Sequence, residues 1–138
     1  RSAKLPNSPR FAPSAQAIRT IAHTALRAEH AGAGELSVLL VTDVAIRKLN
    51  GAWRGKDVAT NVLSFPQDPT RGLLGDVVVS LDTVARQGKQ TGAGYAYTLA
   101  FYLVHGILHL LGWDHDTPKK EREMMRRTRE ILKVAGVK

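Results

Sequence analysis

The sequence contains no cysteine, and that one absence removes disulfide frameworks, thiolate metal sites, iron–sulfur clusters and a cysteine nucleophile together. Aromatic residues are scarce at 6%, so recognition of nucleobases by stacking is expected to be minor. Residues 1–20 hold no acid, and from Gln90 to Trp113 there is no Asp, Glu, Lys or Arg. The second gap is long enough to span a bilayer, but it holds His105 and His109 together with Tyr95, Tyr97, Gly92, Gly94 and Gly106. Polar groups of that sort are expensive in lipid, so a central helix of a soluble domain is the better expectation. No apolar core of signal-peptide length lies near the N-terminus, which leads to the expectation of a cytoplasmic protein without a membrane partner.

What is present fits one globular domain over residues 1–138, with 43% hydrophobic and 23% charged residues. The net charge is +8, and it is placed unevenly. Residues 1–20 carry four bases, residues 117–138 carry eight bases against three acids, and the stretch between them has eight bases against nine acids. A basic surface beside a near-neutral body favours polyanions such as nucleic acid.

Periodicity and punctuation predict the elements. A helix is expected over Ser14–Ala31 with Gly32 as its stop, and a buried strand over Glu35–Val41. Thr42 caps a short helix over Asp43–Asn50 that Asn50-Gly51 ends, and residues 52–60 read as a polar loop. Strands are expected at Asn61–Phe65, where Pro66 suits a sheet edge, and at Leu74–Ser80. Helices follow over Leu81–Gln90 and Gly94–Leu111, and a last one is capped by Thr117, has Pro118 in its first turn and stops at Gly136. The fold class is therefore α+β (mixed α/β), a small mixed sheet of three or four strands packed with about five helices.

Three of the five histidines fall within eleven residues, His105, His109 and His115. On a helix turning about 100° per residue, the first two project from one face a turn apart. Gly112 supplies a residue able to end the helix in a left-handed conformation and return the chain so that His115 joins them. Three neutral imidazoles and one position left for water are the ligand set of a catalytic zinc ion, with nickel, manganese and cobalt as alternatives. The spacing is that of the zinc-peptidase helix, with one difference: those enzymes carry a glutamate general base after the first histidine, and here the position is Gly106. The peptidase reading falls accordingly.

These residues resemble a known family. HGILHLLGWDHD (105–116) is similar to the HGxLHLxGYDH signature of the YbeY family of bacterial endoribonucleases, RGKDVATNVLSFP (54–66) to its second signature and LGDVVVS (74–80) to a third. The resemblance implies a zinc-dependent endoribonuclease for single-stranded RNA. It also implies work in 3′-end maturation of small-subunit rRNA and in ribosome quality control, alongside ribosome-assembly proteins. It implies zinc on His105, His109 and His115, and a functional arginine at Arg54. Trp113 stands where many members have tyrosine.

Beyond the resemblance, no general base is evident, and both water and the ribose 2′-OH remain candidate nucleophiles. Arg54 offers a planar, permanently charged fork for a phosphate. Asp114 and Asp116 flank His115 and are expected either to accept its second N–H or to cap the last helix and meet water. Ser64 and Asp76 belong to the matched motifs and are expected to hold the sheet together, while His23 and His30 on the first helix are expected to take no part. On the last helix Lys119, Arg122, Arg126, Arg129 and Lys133 make one basic stripe, and Met124, Thr128, Ile131, Leu132 and Ala135 an apolar one. The first is expected to face RNA and the second the body. Two other classes compete: an RNA-binding or ribosome-assembly factor in which zinc only stabilises the fold, which a chelator would then unfold, and a metallohydrolase of another substrate such as a peptide.

Overall fold

The computed structural model describes residues 13–31 and 34–137. Helix α1 spans Ala15–Ala28, strand β1 Glu35–Val41, α2 Asp43–Arg54, β2 Val62–Pro66, β3 Leu73–Ser80, α3 Leu81–Thr91, α4 Tyr95–Leu110 and α5 Pro118–Val134, with a 3₁₀ turn at Pro69–Arg71. The strands form one mixed sheet in the order β1-β3-β2. β3 runs parallel to β1 and antiparallel to β2. The α+β expectation holds, with three strands. β2 is an edge, which is where Pro66 removes a backbone donor at least cost.

Four helices begin with a hydroxyl that accepts a backbone N–H three residues on: Ser14 from Ala17, Thr42 from Ala45, Ser80 from Thr83 and Thr117 from Lys120, at 3.1–3.3 Å. Each satisfies a donor that the first helical turn leaves orphaned.

Two boundaries differ from the sequence expectation. α2 does not stop at Asn50-Gly51 but continues to Arg54. Asn50 is buried there and its Nδ2 donates to the Val58 carbonyl at 3.0 Å, so its amide ties down the following segment instead of capping the helix. Gly55, at φ 68°, makes the left-handed turn that ends α2. α1 ends at Ala28 rather than Ala31, because His30 takes φ 53°; this puts His30 just past the helix. The Gly32 stop lies outside the described residues.

Alternation along β3 divides the core. Val77 and Val79 point to the side covered by α1, α4 and α5, where Leu99, Leu103, Ile107, Leu108, Met124, Ile131 and Leu132 join them. Val78 points the other way, into a smaller cluster with Ile46 of α2 and Leu63 of β2. α4 touches α1, α3, α5, β2 and β3 and is the central helix of the thicker layer. Its charge-free sequence is thus a consequence of burial among protein. Among the described residues no helix is long and apolar enough to cross a membrane.

Candidate active site

The site begins with how closely α4 lies on the sheet. A side-chain Cβ built at Gly106 would stand 2.8 Å from Val62 Cγ2 and 2.8 Å from Val77 Cγ1, so only glycine allows this approach. The Ser64 hydroxyl donates to the Gly106 carbonyl at 2.7 Å and locks edge strand to helix. The same contact explains why no glutamate follows His105, since a carboxylate there would be driven into valines.

His105 emerges beside this contact, half-buried. Its ring stacks on Phe101 one turn earlier, with centroids 6.0 Å apart and planes inclined at 13°, and meets the edge of Tyr102 at 6.0 Å. His109 follows a turn later and is exposed. Gly112, at φ 105°, then breaks the helix, and the Trp113 N–H returns to the Leu108 carbonyl at 3.0 Å. The chain comes back as expected: the His115 ring lies 6.0 Å from that of His105 and 5.4 Å from that of His109.

Burial, followed by the neighbouring His115 and His109, lowers the pKa of His105 to about 4, so its ring is neutral at ordinary pH. Its Nδ1 is buried and has no hydrogen-bond partner. His109 Nδ1 lies 3.1 Å from the Trp113 carbonyl oxygen. A carbonyl only accepts, so Nδ1 carries the proton and Nε2 keeps its lone pair. A neutral His105 with an orphaned nitrogen and a His109 ring oriented by the backbone fit a divalent cation as donors. As placed, no three His, Asp or Glu side chains among the described residues stand close enough to share one ion. Imidazoles around a tetrahedral zinc, at about 2 Å from each nitrogen, have centroids roughly 5 Å apart. The His105–His115 and His109–His115 separations exceed that by an ångström or less.

The remaining candidates fall elsewhere. Arg54 is the last residue of α2 rather than part of a loop, exposed and without an ion pair among the described residues. α2 packs through Ile46 on the Val78 side of the sheet, opposite the side on which α4 covers Val77 and Val79. Asp114 accepts the backbone N–H of His115 at 2.8 Å, and Asp116 lies 3.4 Å from Lys120 Nζ; neither carboxylate bonds an imidazole. The orienting acceptor for His109 is instead the Trp113 carbonyl, which side-chain types could not reveal. Asp76 accepts from Gln67 Nε2 at 3.1 Å, a bond within the β2–β3 hairpin.

α5 divides as its two stripes require. Met124, Thr128, Ile131 and Leu132 are buried and Ala135 packs against them, while Lys119, Arg122, Arg126, Arg129 and Lys133 are exposed. Only Arg126 of these five is ion-paired among the described residues, to Glu130. Lys119 lies four residues from His115, and the stripe runs about 21 Å away from it at 1.5 Å per residue.

Fold and site together define a class: an α+β domain with a histidine trio at the end of its central helix and a basic helix leading away from it. The family model for endoribonuclease YbeY matches residues 7–136. The endoribonuclease YbeY of Anaeromyxobacter sp. (strain Fw109-5) is 48% identical over 132 residues, 94% of this chain and 69% of that protein. That of Moorella thermoacetica is 42% identical over 120 residues, 78% of this chain and 77% of the relative. The Halalkalibacterium halodurans protein is 38% identical over 135 residues, 87% and 85%. The chain belongs to the endoribonuclease YbeY family. The solution structure of TM1509 from Thermotoga maritima shares the fold, with a TM-score of 0.63 and 24% identity over 90% of this chain and 85% of that one.

Proposed function

We propose that this YbeY-family endoribonuclease cuts single-stranded RNA in 3′-end maturation of small-subunit rRNA and ribosome quality control, at a zinc centre held by His105, His109 and His115. The observation that carries the reading is that the His115 ring, returned by the turn at Gly112, lies beside both His105 and His109, which share one face of α4. When bound, zinc supplies Lewis-acid polarisation of a phosphate oxygen and of water. The chain's own residues do the rest. His105, kept neutral by burial, presents a lone pair, and the Trp113 carbonyl on Nδ1 of His109 leaves its Nε2 to face the cation. Arg54, exposed at the end of its helix and without an ion pair among the described residues, reaches a substrate phosphate and offsets the charge that grows on it. The α5 stripe tracks the phosphates of the strand leading to the centre. A ribosomal RNA substrate in the cytoplasm, presented by ribosome-assembly proteins, suits a chain that has this charge and few exposed aromatics for reading bases.

The test is metal content together with cleavage of a single-stranded RNA by the parent, His109→Ala and Arg54→Ala proteins. His109→Ala is expected to lose zinc and activity together. Arg54→Ala is expected to keep its zinc and cut about a hundredfold more slowly, as when a charge-stabilising group is lost. Activity surviving in His109→Ala, or equal rates for Arg54→Ala and parent, overturns the corresponding assignment.

A further inference from the structure

The turn that delivers His115 is held from a distance. The Trp113 indole Nε1 donates to Glu29 Oε1 at 2.7 Å, across 84 positions of sequence. The other oxygen of Glu29 accepts from Arg127 Nε at 2.7 Å, and Arg127 also donates to the Ala28 carbonyl at 3.1 Å and to Glu130 at 3.2 Å. The Glu29 side chain is only 13% exposed and that of Arg127 28%, so these bonds are shielded. The backbone carbonyl of the same Trp113 is the acceptor for His109 Nδ1. One carboxylate at the end of α1 therefore grips α5 with one oxygen and, with the other, the residue that orients His109 and lies two positions before His115.

We propose that Glu29 is a positioning residue for the histidine centre: by fixing the Trp113 indole it holds the Trp113 carbonyl on His109 Nδ1, and so sets the tautomer and direction of that ring. Two features favour a carboxylate in this role. Both oxygens are used by donors, so the neutral Gln, with one oxygen and one NH₂, leaves either Trp113 or Arg127 facing a donor. The bonds are also shielded, the Glu29 side chain being only 13% exposed, and a hydrogen bond to an ionised acceptor is stronger there than one to a neutral amide.

The proposal deepens the zinc reading, and its test separates the two. In the metal-free protein, long-range ¹H–¹⁵N NMR reads the tautomer of His109, which is expected to carry its proton on Nδ1. Trp113→Phe keeps a ring and removes the donor, while Glu29→Met removes the acceptor at the other end of the same bond with little change in bulk. Each is expected to shift His109 towards a mixture of tautomers. Each is also expected to raise the zinc dissociation constant, measured by competition with a chromophoric chelator, about tenfold, at the low end of the losses seen when the partner of a metal-binding histidine is removed. The double variant is expected to lose no more than the more affected single, because both break the same bond. A parent His109 protonated on Nε2 overturns the proposal. So do an unchanged tautomer and zinc affinity within twofold of the parent in the variants, whatever happens to their melting temperatures. If Trp113→Phe does not fold, Glu29→Met alone decides. If the parent binds no zinc, the zinc reading falls while the tautomer shift still judges the clamp.

Discussion

The two sides of the sheet are built differently. On one side α4 sits against β2 and β3 through a glycine, is flanked by α1, α3 and α5, and carries two imidazoles on rigid backbone. On the other, a small cluster around Ile46, Leu63 and Val78 supports α2, with Val44, Trp53 and Val58 left exposed and Arg54 at the helix end. On the proposed reading, histidines that share one cation gain from the thick layer's support, and a guanidinium that meets an RNA strand gains from the reach that the thin layer leaves it.

The most pronounced expected contrast is with pH. Because burial lowers the His105 pKa to about 4 against 6.5 for an unhindered imidazole, the unfolded chain takes up a proton below 6.5 that the folded one refuses until about 4. His105 therefore opposes folding progressively as pH falls from 6.5 to 4, by up to about 3 kcal/mol, and has no such effect above 6.5. Urea unfolding of chelator-treated protein should show that slope, and His105→Asn should flatten it. A parent stability that stays level from pH 6.5 to 4 would contradict a buried neutral His105.

Gly106→Ala and Gly51→Ala probe the layers directly. At Gly106 the new methyl would meet two valines at 2.8 Å, so a loss of about 1–3 kcal/mol is expected in chemical denaturation. At Gly51, within α2, the nearest atom is the Lys56 carbonyl oxygen at 3.9 Å, so the substitution should stabilise by about 0.5–1 kcal/mol through helix preference alone. Equal effects at the two sites would erase the distinction between a tight and a loose helix seat.

Between those two in size stands the α5 stripe. Neutralising Arg122, Arg126 and Arg129 to Gln should leave the fold intact, since all three side chains are exposed, and reduce the salt slope of RNA binding by about two to three. An unchanged slope in a filter-binding or anisotropy titration would remove α5 from the RNA path.

Much of this was legible in the residues, for identifiable reasons. The α5 stripes and the Thr117–Pro118 start depend on side chains within one or two turns, which is the range over which helical periodicity carries information. The return of His115 was legible because Gly112 stands where the backbone must turn left-handed. The end of α2 was misplaced because Asn50-Gly51 is an ordinary stop signal, overridden when a buried amide found the Val58 carbonyl. The carboxylates beside His115 were natural candidates for its second N–H, but Asp114 met the nearer backbone donor first.

Local sequence determined the elements, the trio of imidazoles and the exclusion of a glutamate base, because each rests on neighbours within a few residues. Tertiary structure alone decided which side of the sheet receives α2, and that Glu29 would join the ends of α1 and α5 to Trp113. Those contacts join groups that are far apart along the chain, and their geometry exists only after helices have packed on the sheet.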